Sequence, residues 1–216
     1  MKMIKLNPNE ISFPDPQYFE SDTGLIAFGG DLSPERIWFA YQNGIFPWFN
    51  PDEEILWWFP NPRFVLFPEN VKISKSMKKI LKSGQFTFTK NKNFREVMQN
   101  CQNIERNGEK GSWISEELIE SFVALHKAGK ASSYEVWEND ELVGGFYGVE
   151  VGEVFCGESM FSKVSNASKA VFLNFVQENK GKYNLIDCQI HSEHLESLGA
   201  EMIPGNQYLK ILKNES

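Results

Sequence analysis

The chain has 216 residues, 41% of them hydrophobic, and a net charge of −7, an ordinary globular composition that allows one large domain or two small ones with a real core. No apolar run approaches the roughly 18 residues of a membrane span, and the start MKMIKLNPNEISFPDP lacks the long apolar stretch and cleavage site of a secretory leader. Three scattered cysteines (Cys101, Cys156, Cys188) without a CxxC spacing fit buried thiols in a reducing cytoplasm, and the His191/His194 pair has no further ligands around it to make a metal site.

Residues 13–20 are rich in Pro and aromatics and read as an extended lead-in. Residues 24–31 (GLIAFGGD) read as a short strand ending in a Gly-Gly turn. Ser33 or Asp31 then caps a helix with Pro34 and Glu35 in its first turn and Ile37, Phe39, Ala40 and Tyr41 on its apolar face, stopped by Gly44. The aromatic run GIFPWF (44–49), a strand at 55–58, an Asn61-Pro62-Arg63 turn and a strand at 64–67 follow. Trp38, Trp48, Trp57 and Trp58 lie within 21 positions. So dense a cluster reads as core, except Trp48, whose Gly/Pro-bounded loop suits a platform for stacking a base.

Residues 74–82 (SKSMKKILK) spell a helix capped by Ser74, with Met77, Ile80 and Leu81 inward and Lys75, Lys78, Lys79 and Lys82 along one face. From 71 to 95 the chain has eight basic residues and no Asp or Glu, so that segment carries +8 and the remainder −15. A solvated helix face usually mixes signs; an unmixed one attracts phosphates even on an acidic protein. Residues 86–89 read as a strand, 93–101 as a helix with Phe94, Val97, Met98 and Cys101 inward, and 105–112 as a loop. Ser115 caps a helix striped by Leu118, Phe122 and Leu125 and ended by Gly129. A strand at 133–138 opens into a hairpin, with turn signals at Asn139-Asp140 and Val151-Gly152 around strands at 142–149 and 154–161. A helix at 166–178 (Val171, Phe172, Phe175 and Val176 apolar), a strand at 185–190, a short helix at 194–198 and a strand or helix at 208–212 complete the chain. This order predicts an α+β fold: a small amino-terminal α/β domain at 1–62, then an acetyltransferase-like (GNAT-like) mixed-sheet domain at 63–216.

Two strands carry polar residues that ask for a reason. Glu158 interrupts an apolar strand and by alternation shares a face with Cys156 and Met160. A carboxylate beside a Met and aromatics describes a site for one charge and one apolar group, or else a strand end where Glu158 escapes to solvent. On the later strand Asp187 and Gln189 share one face, Ile186 and Cys188 the other. Only a bulge or twist would let both faces line one pocket; the plainer readings are a structural carboxylate and a satisfied core amide.

The strings GGDLSPERI (29–37), GIFPWF (44–49), ILWW (55–58), PNPRFVL (60–66), GESMFS (157–162), NASK (166–169), LIDCQ (185–189) and SLGA (197–200) resemble the leucyl/phenylalanyl-tRNA–protein transferase family, in order and over nearly the whole chain. The resemblance implies an aminoacyltransferase that moves Leu, Phe and Met from aminoacyl-tRNA to proteins with amino-terminal Lys or Arg, marking them for degradation by the N-degron pathway. It implies a cytoplasmic monomer with no cofactor, metal or membrane. It puts Asp187 and Gln189 at the reaction centre, and Glu158, Trp48 and Trp113 against the aminoacyl-adenosine. It suggests a side-chain pocket of Phe146, Phe155, Met160, Phe172, Phe175 and Ile186, and a tRNA grip by Lys75, Lys78, Lys79 and Lys82. The acceptor α-amine, with a pKa of about 7.7–8.0, needs no powerful base, so alignment of amine and ester carries much of the acceleration. Gln189 is a poor proton sink and reads as a positioner, Asp187 as an orienting or polarising group. One departure stands out: where the family shows His-Ser, this chain has Ser132-Ser133.

Two other readings stand beside it. A small-molecule N-acetyltransferase needs a glycine-rich loop opening a helix to hold a pyrophosphate, and no R/Q-x-x-G-x-G/A pattern is present. A non-catalytic tRNA-binding module fits the lysine helix but leaves GESMFS and LIDCQ without a purpose.

Overall fold

The computed structural model describes residues 3–19, 23–104 and 112–215. Its amino-terminal part holds β1 (Ile4–Leu6), β2 (Leu25–Gly29), α1 (Pro34–Gln42), β3 (Phe46–Pro47) and β4 (Leu56–Trp58). The four strands form one sheet in the order β1-β2-β4-β3, parallel between β1 and β2 and antiparallel elsewhere. Both expected caps of α1 act in series: Ser33 Oγ accepts from the Arg36 N–H at 3.4 Å, and Asp31 accepts from the Ser33 N–H at 2.7 Å. The buried face of α1 is Arg36, Ile37, Ala40 and Tyr41. Phe39, expected there, is not on it: at about 100° per residue it falls off the stripe, is 38% exposed and stacks on Phe13. Gly44 ends the turn at φ +73°, and a Cβ there would lie 2.7 Å from the Tyr208 ring, so backbone and neighbour both demand glycine.

The larger sheet is built from β5 (Arg63–Leu66), α2 (Lys75–Lys82), β6 (Thr87–Lys90), α3 (Phe94–Asn103), α4 (Glu116–Lys127), β7 (Ala131–Glu138), β8 (Glu141–Val151), β9 (Val154–Ser162), α5 (Ala167–Glu178), β10 (Leu185–Gln189), α6 (Glu193–Ser197), β11 (Glu201–Ile203) and α7 (Gly205–Leu212). Strand order is β11-β5-β10-β9-β8-β7-β6, and every pair among the described residues is antiparallel except β9–β10. Asn139 and Asp140, both at positive φ, make the tight turn between β7 and β8.

Helices α3 and α4 cover one face of this sheet, α5 and α2 the other. Alternation along β8 sorts the cores: Tyr147 and Val149 join Phe94, Val97 and Phe122, while Phe146 joins Phe155, Phe172, Phe175 and Ile186. The first core also contains Ile37, Tyr41 and Trp57, so the two sheets share one apolar interior. The mixed α+β layout expected from the element order is present. Three short strands (β1, β3, β11) escape the sequence pattern, and the last element is a helix. Residues 105–111, expected to be loop, lie outside the described residues. No described helix is long and apolar enough to cross a membrane.

Candidate functional site

The β9–β10 ladder stops at the pair Asp187–Cys156, and each strand breaks its register there. In β9, Ser159 pairs with Tyr147 and Gly157 with Gly148, so Glu158 is the extra residue of a bulge. The bulge overturns the expected alternation. Cys156 and Phe161 belong to the first core while Phe155 and Met160 border the second, so Met160 does not share a face with Cys156. Gly148 faces the bulge, and a Cβ on it would sit 2.3 Å from the Cys156 carbonyl oxygen. In β10 the register against β5 shifts between Asp187 and Gln189, and Gln189 stands at φ +65°. This is the irregularity required for both faces of that strand to line one cavity.

A cleft of about 370 Å³ opens between the two bulges, within the range of roughly 300–1,000 Å³ typical of small-ligand sites. Its apolar part includes Phe146, Phe155, Met160, Phe172, Ile186 and Leu195, and its polar part includes Glu158, Gln189, His191 and His194. Trp48 and Trp113 also line it, with Trp48 41% exposed. Phe175, expected as a liner, is not one. It is fully buried behind the floor, 4.7 Å from the Phe155 ring and 5.2 Å from the Phe146 ring, because those rings together with Phe172 and Tyr183 surround it.

Tyr41 of α1 donates its buried hydroxyl to Oε1 of Glu158, and Gln189 Nε2 donates to the same oxygen at 2.7 Å. Burial pushes the Glu158 carboxyl up to about 8, against the pull of those two hydrogen bonds. Burial, with Glu158 alongside, raises the Tyr41 hydroxyl well above its ordinary value.

Asp187 is engaged on every side. Arg63 Nε donates to Oδ1 at 2.8 Å and Arg63 Nη2 to Oδ2 at 2.6 Å; the Tyr208 hydroxyl adds a bond at 2.8 Å and the Gln189 N–H one at 2.9 Å. Four bonds fill the acceptor sites of a carboxylate. Asp187 therefore stands behind Gln189 and pins the bulge, while the Gln189 side chain turns to Glu158. Burial works against the charge of Arg63, but the adjacent Asp187 holds it, and its guanidinium lies 5.0 Å from the Phe46 ring and 4.5 Å from the Tyr208 ring. Burial and Asp187 push the Cys188 thiol up, leaving an unreactive neutral wall.

Arg63, Tyr41 and Tyr208 are absent from the expected site. A signal for one existed: Arg63 is the lone charge of RFVL, Asp187 the lone charge of LIDCQ, and two apolar strands with one opposite charge each invite a buried pair. The α2 lysines Lys75, Lys78, Lys79 and Lys82 are exposed, make no ion pair among the described residues and lie outside the cleft lining. Two of their basic neighbours are paired instead, Lys90 with Glu150 and Arg95 with Glu116 and Glu120. Ser132 also lies outside the cleft lining, its hydroxyl on Glu150 at 2.5 Å.

Residues 65–213 match the family described as leucyl/phenylalanyl-tRNA protein transferase, and residues 30–61 match the amino-terminal domain of that family. A leucyl/phenylalanyl-tRNA–protein transferase of Flavobacterium johnsoniae is 53% identical over 207 residues, covering 95% of this chain and 97% of that one. One from Escherichia coli is 48% identical over 214 residues, covering 98% and 90%. Among solved structures, a GCN5-related N-acetyltransferase from Kribbella flavida aligns with 76% of this chain at 7% identity and a TM-score of 0.37, the match spanning 59% of that protein. By the extent of these sequence matches, the chain belongs to the leucyl/phenylalanyl-tRNA protein transferase family.

Proposed function

We propose that the cleft is where an aminoacyl group passes from tRNA to the α-amino group of a protein. The chain is an aminoacyltransferase, and the observation that carries the placement is an apolar floor directly beneath a bulged, tightly held carboxyl. The floor of Phe146, Phe155, Met160, Phe172 and Ile186 takes Leu, Phe or Met and crowds out side chains branched at Cβ, a selection of about 1–3 kcal/mol per misplaced methylene. Glu158, Trp48 and Trp113 meet the terminal adenosine. Gln189, with Nε2 committed to Glu158, offers its amide oxygen to the acceptor amine, and Asp187 positions it from behind.

Lys75, Lys78, Lys79 and Lys82 grip the acceptor stem through phosphates, without reading sequence. Acceptors begin with Lys or Arg, the products enter N-degron degradation, and the enzyme works as a cytoplasmic monomer. The amino-terminal domain (1–62) supplies Tyr41 and Trp48, and the second domain (63–216) supplies the floor. A filter assay tests the reading with labelled Phe-tRNA and peptides beginning in Arg or Asp. Label on the Arg peptide alone supports it. Label taken instead from acetyl-CoA, or salt-sensitive tRNA retention without transfer, replaces it with an acetyltransferase or a binding module.

A further inference from the structure

Both donors on Glu158 meet at one oxygen. Tyr41 and Gln189 bond Oε1, and Oε2 has no partner among the described residues although Glu158 lines the cleft. A carboxyl whose one oxygen accepts two hydrogen bonds carries its proton on the other. Resting on the aminoacyl-transfer reading above, we propose that Glu158 is a catalytic acid that protonates the departing ribose oxygen from Oε2, with Tyr41 as the positioning residue that fixes the proton on that atom.

The step balances. The neutral acceptor amine attacks the ester carbonyl carbon and a C–N bond forms. The bond from that carbon to the ribose oxygen breaks, and the oxygen leaves as a hydroxyl with the proton of Oε2. The new amide nitrogen then holds one proton too many, and this returns to the Glu158 carboxylate. Without such an acid, a tetrahedral adduct of an amine and an alkyl ester expels the amine in preference to an alkoxide. Glu158 suits the task, since a carboxyl held at about 8 is mostly neutral near pH 7 and close to ambient pH, where general acids are most effective. The titratable and charged groups that bear on it are Tyr41 from α1, Arg63 from β5, Cys156 on its own strand and Asp187 from β10. Asp187 is saturated and Cys156 is buried with its thiol pushed up; His191 and His194 line the same cleft.

The test compares two donors under single turnover: Phe-tRNA, and an analogue carrying phenylalanine as a thioester, whose thiolate departs without a proton. With wild-type protein, transfer from the oxygen ester falls as pH rises above about 8, and transfer from the thioester lacks that falling limb. E158Q keeps an acceptor for Tyr41 and Gln189 but has no proton to give. Its rate on the oxygen ester drops by about 10²-fold or more, beyond any loss of donor affinity from its adenosine contact, and the deficit on the thioester shrinks below about tenfold. Y41F, isosteric and short of one donor to the carboxylate, moves the falling limb to higher pH.

The same falling limb on both donors, equal E158Q losses on both, or an affinity loss that matches the rate loss overturns the acid role. A limb unmoved in a folded Y41F overturns the part given to Tyr41. Should E158Q not fold, the wild-type comparison decides alone. Wild-type protein that transfers nothing from Phe-tRNA refutes the underlying reading rather than this step.

Discussion

Arg63 and Asp187 face each other across neighbouring strands as a buried two-pronged pair, at 2.8 and 2.6 Å with 1% and 0% exposure. Breaking such a pair leaves one uncompensated buried charge, at a cost of about 3–5 kcal/mol, whereas replacing both members with apolar groups of similar volume is often neutral. Arg63→Met should therefore lower the unfolding free energy, read from urea curves, by that amount, and Arg63→Met with Asp187→Leu should regain much of it. The double variant should still fail to transfer, because the Gln189 N–H has lost its acceptor and the bulge its pin. Stability and transfer recovering together would mean that Asp187 does nothing beyond holding the fold.

Glu158 should leave its mark on stability as well as on rate. The folded carboxyl keeps its proton up to about 8, while the unfolded one releases it near 4.3. Across that window the folded state binds more protons, so the contribution to stability is fully present below about 4.3 and is lost as pH rises through about 8. The slope from one such group is at most about 1.4 kcal/mol per pH unit, and less because the group borders the open cleft. Urea midpoints at pH 5, 6, 7 and 8 should fall more gently for Glu158→Gln than for wild type. Parallel curves would show that Glu158 is already ionised in the folded state.

Much of this site is legible in the amino-acid sequence, and the remainder escapes it for definable reasons. Helix caps at Ser33, Ser74 and Ser115, and the turns at Asn139-Asp140 and Gly152, are local chemistry and stand where expected. Strict alternation misplaces Met160 because nothing in GESMFS announces that Glu158 is an extra residue; the clue is the bare Gly148 on the facing strand, whose partner cannot be known from sequence. Phe175 is mistaken for a liner because floor and support are equally apolar and differ by under one helical turn from Phe172. Tyr41 and Arg63 bond groups 117 and 124 residues away, a separation that periodicity cannot see.

The distinction between Phe175 and Met160 is itself measurable. Phe175 supports the floor without touching the cleft, whereas Met160 lines it and is half-buried. Phe175→Leu should cost about 1–3 kcal/mol of stability and leave the Leu-to-Phe transfer ratio unchanged. Met160→Ala should enlarge the cleft and shift that ratio toward Phe by about tenfold or more, read in a competition assay with both charged tRNAs. A ratio that moves with Phe175 and not with Met160 would place the specificity pocket elsewhere.

The lysine face of α2 makes the last prediction. Lys75, Lys78 and Lys79 are exposed, while Met77 anchors the helix from the buried side and Ser74 caps it through the Met77 N–H. Alanine at all three positions leaves that anchor intact and raises helix propensity, so the fold should survive. Each lysine–phosphate pair removed should flatten the plot of log affinity against log salt by about 0.7–0.9, or roughly 2 to 3 in all. Leu and Phe donors should weaken alike, since lysines that hold phosphates do not read bases. A slope that stays put would assign donor binding to the aromatic lining at Trp48 and Trp113; Trp48→Ala would then carry the larger loss, about 1–3 kcal/mol for a stacked base.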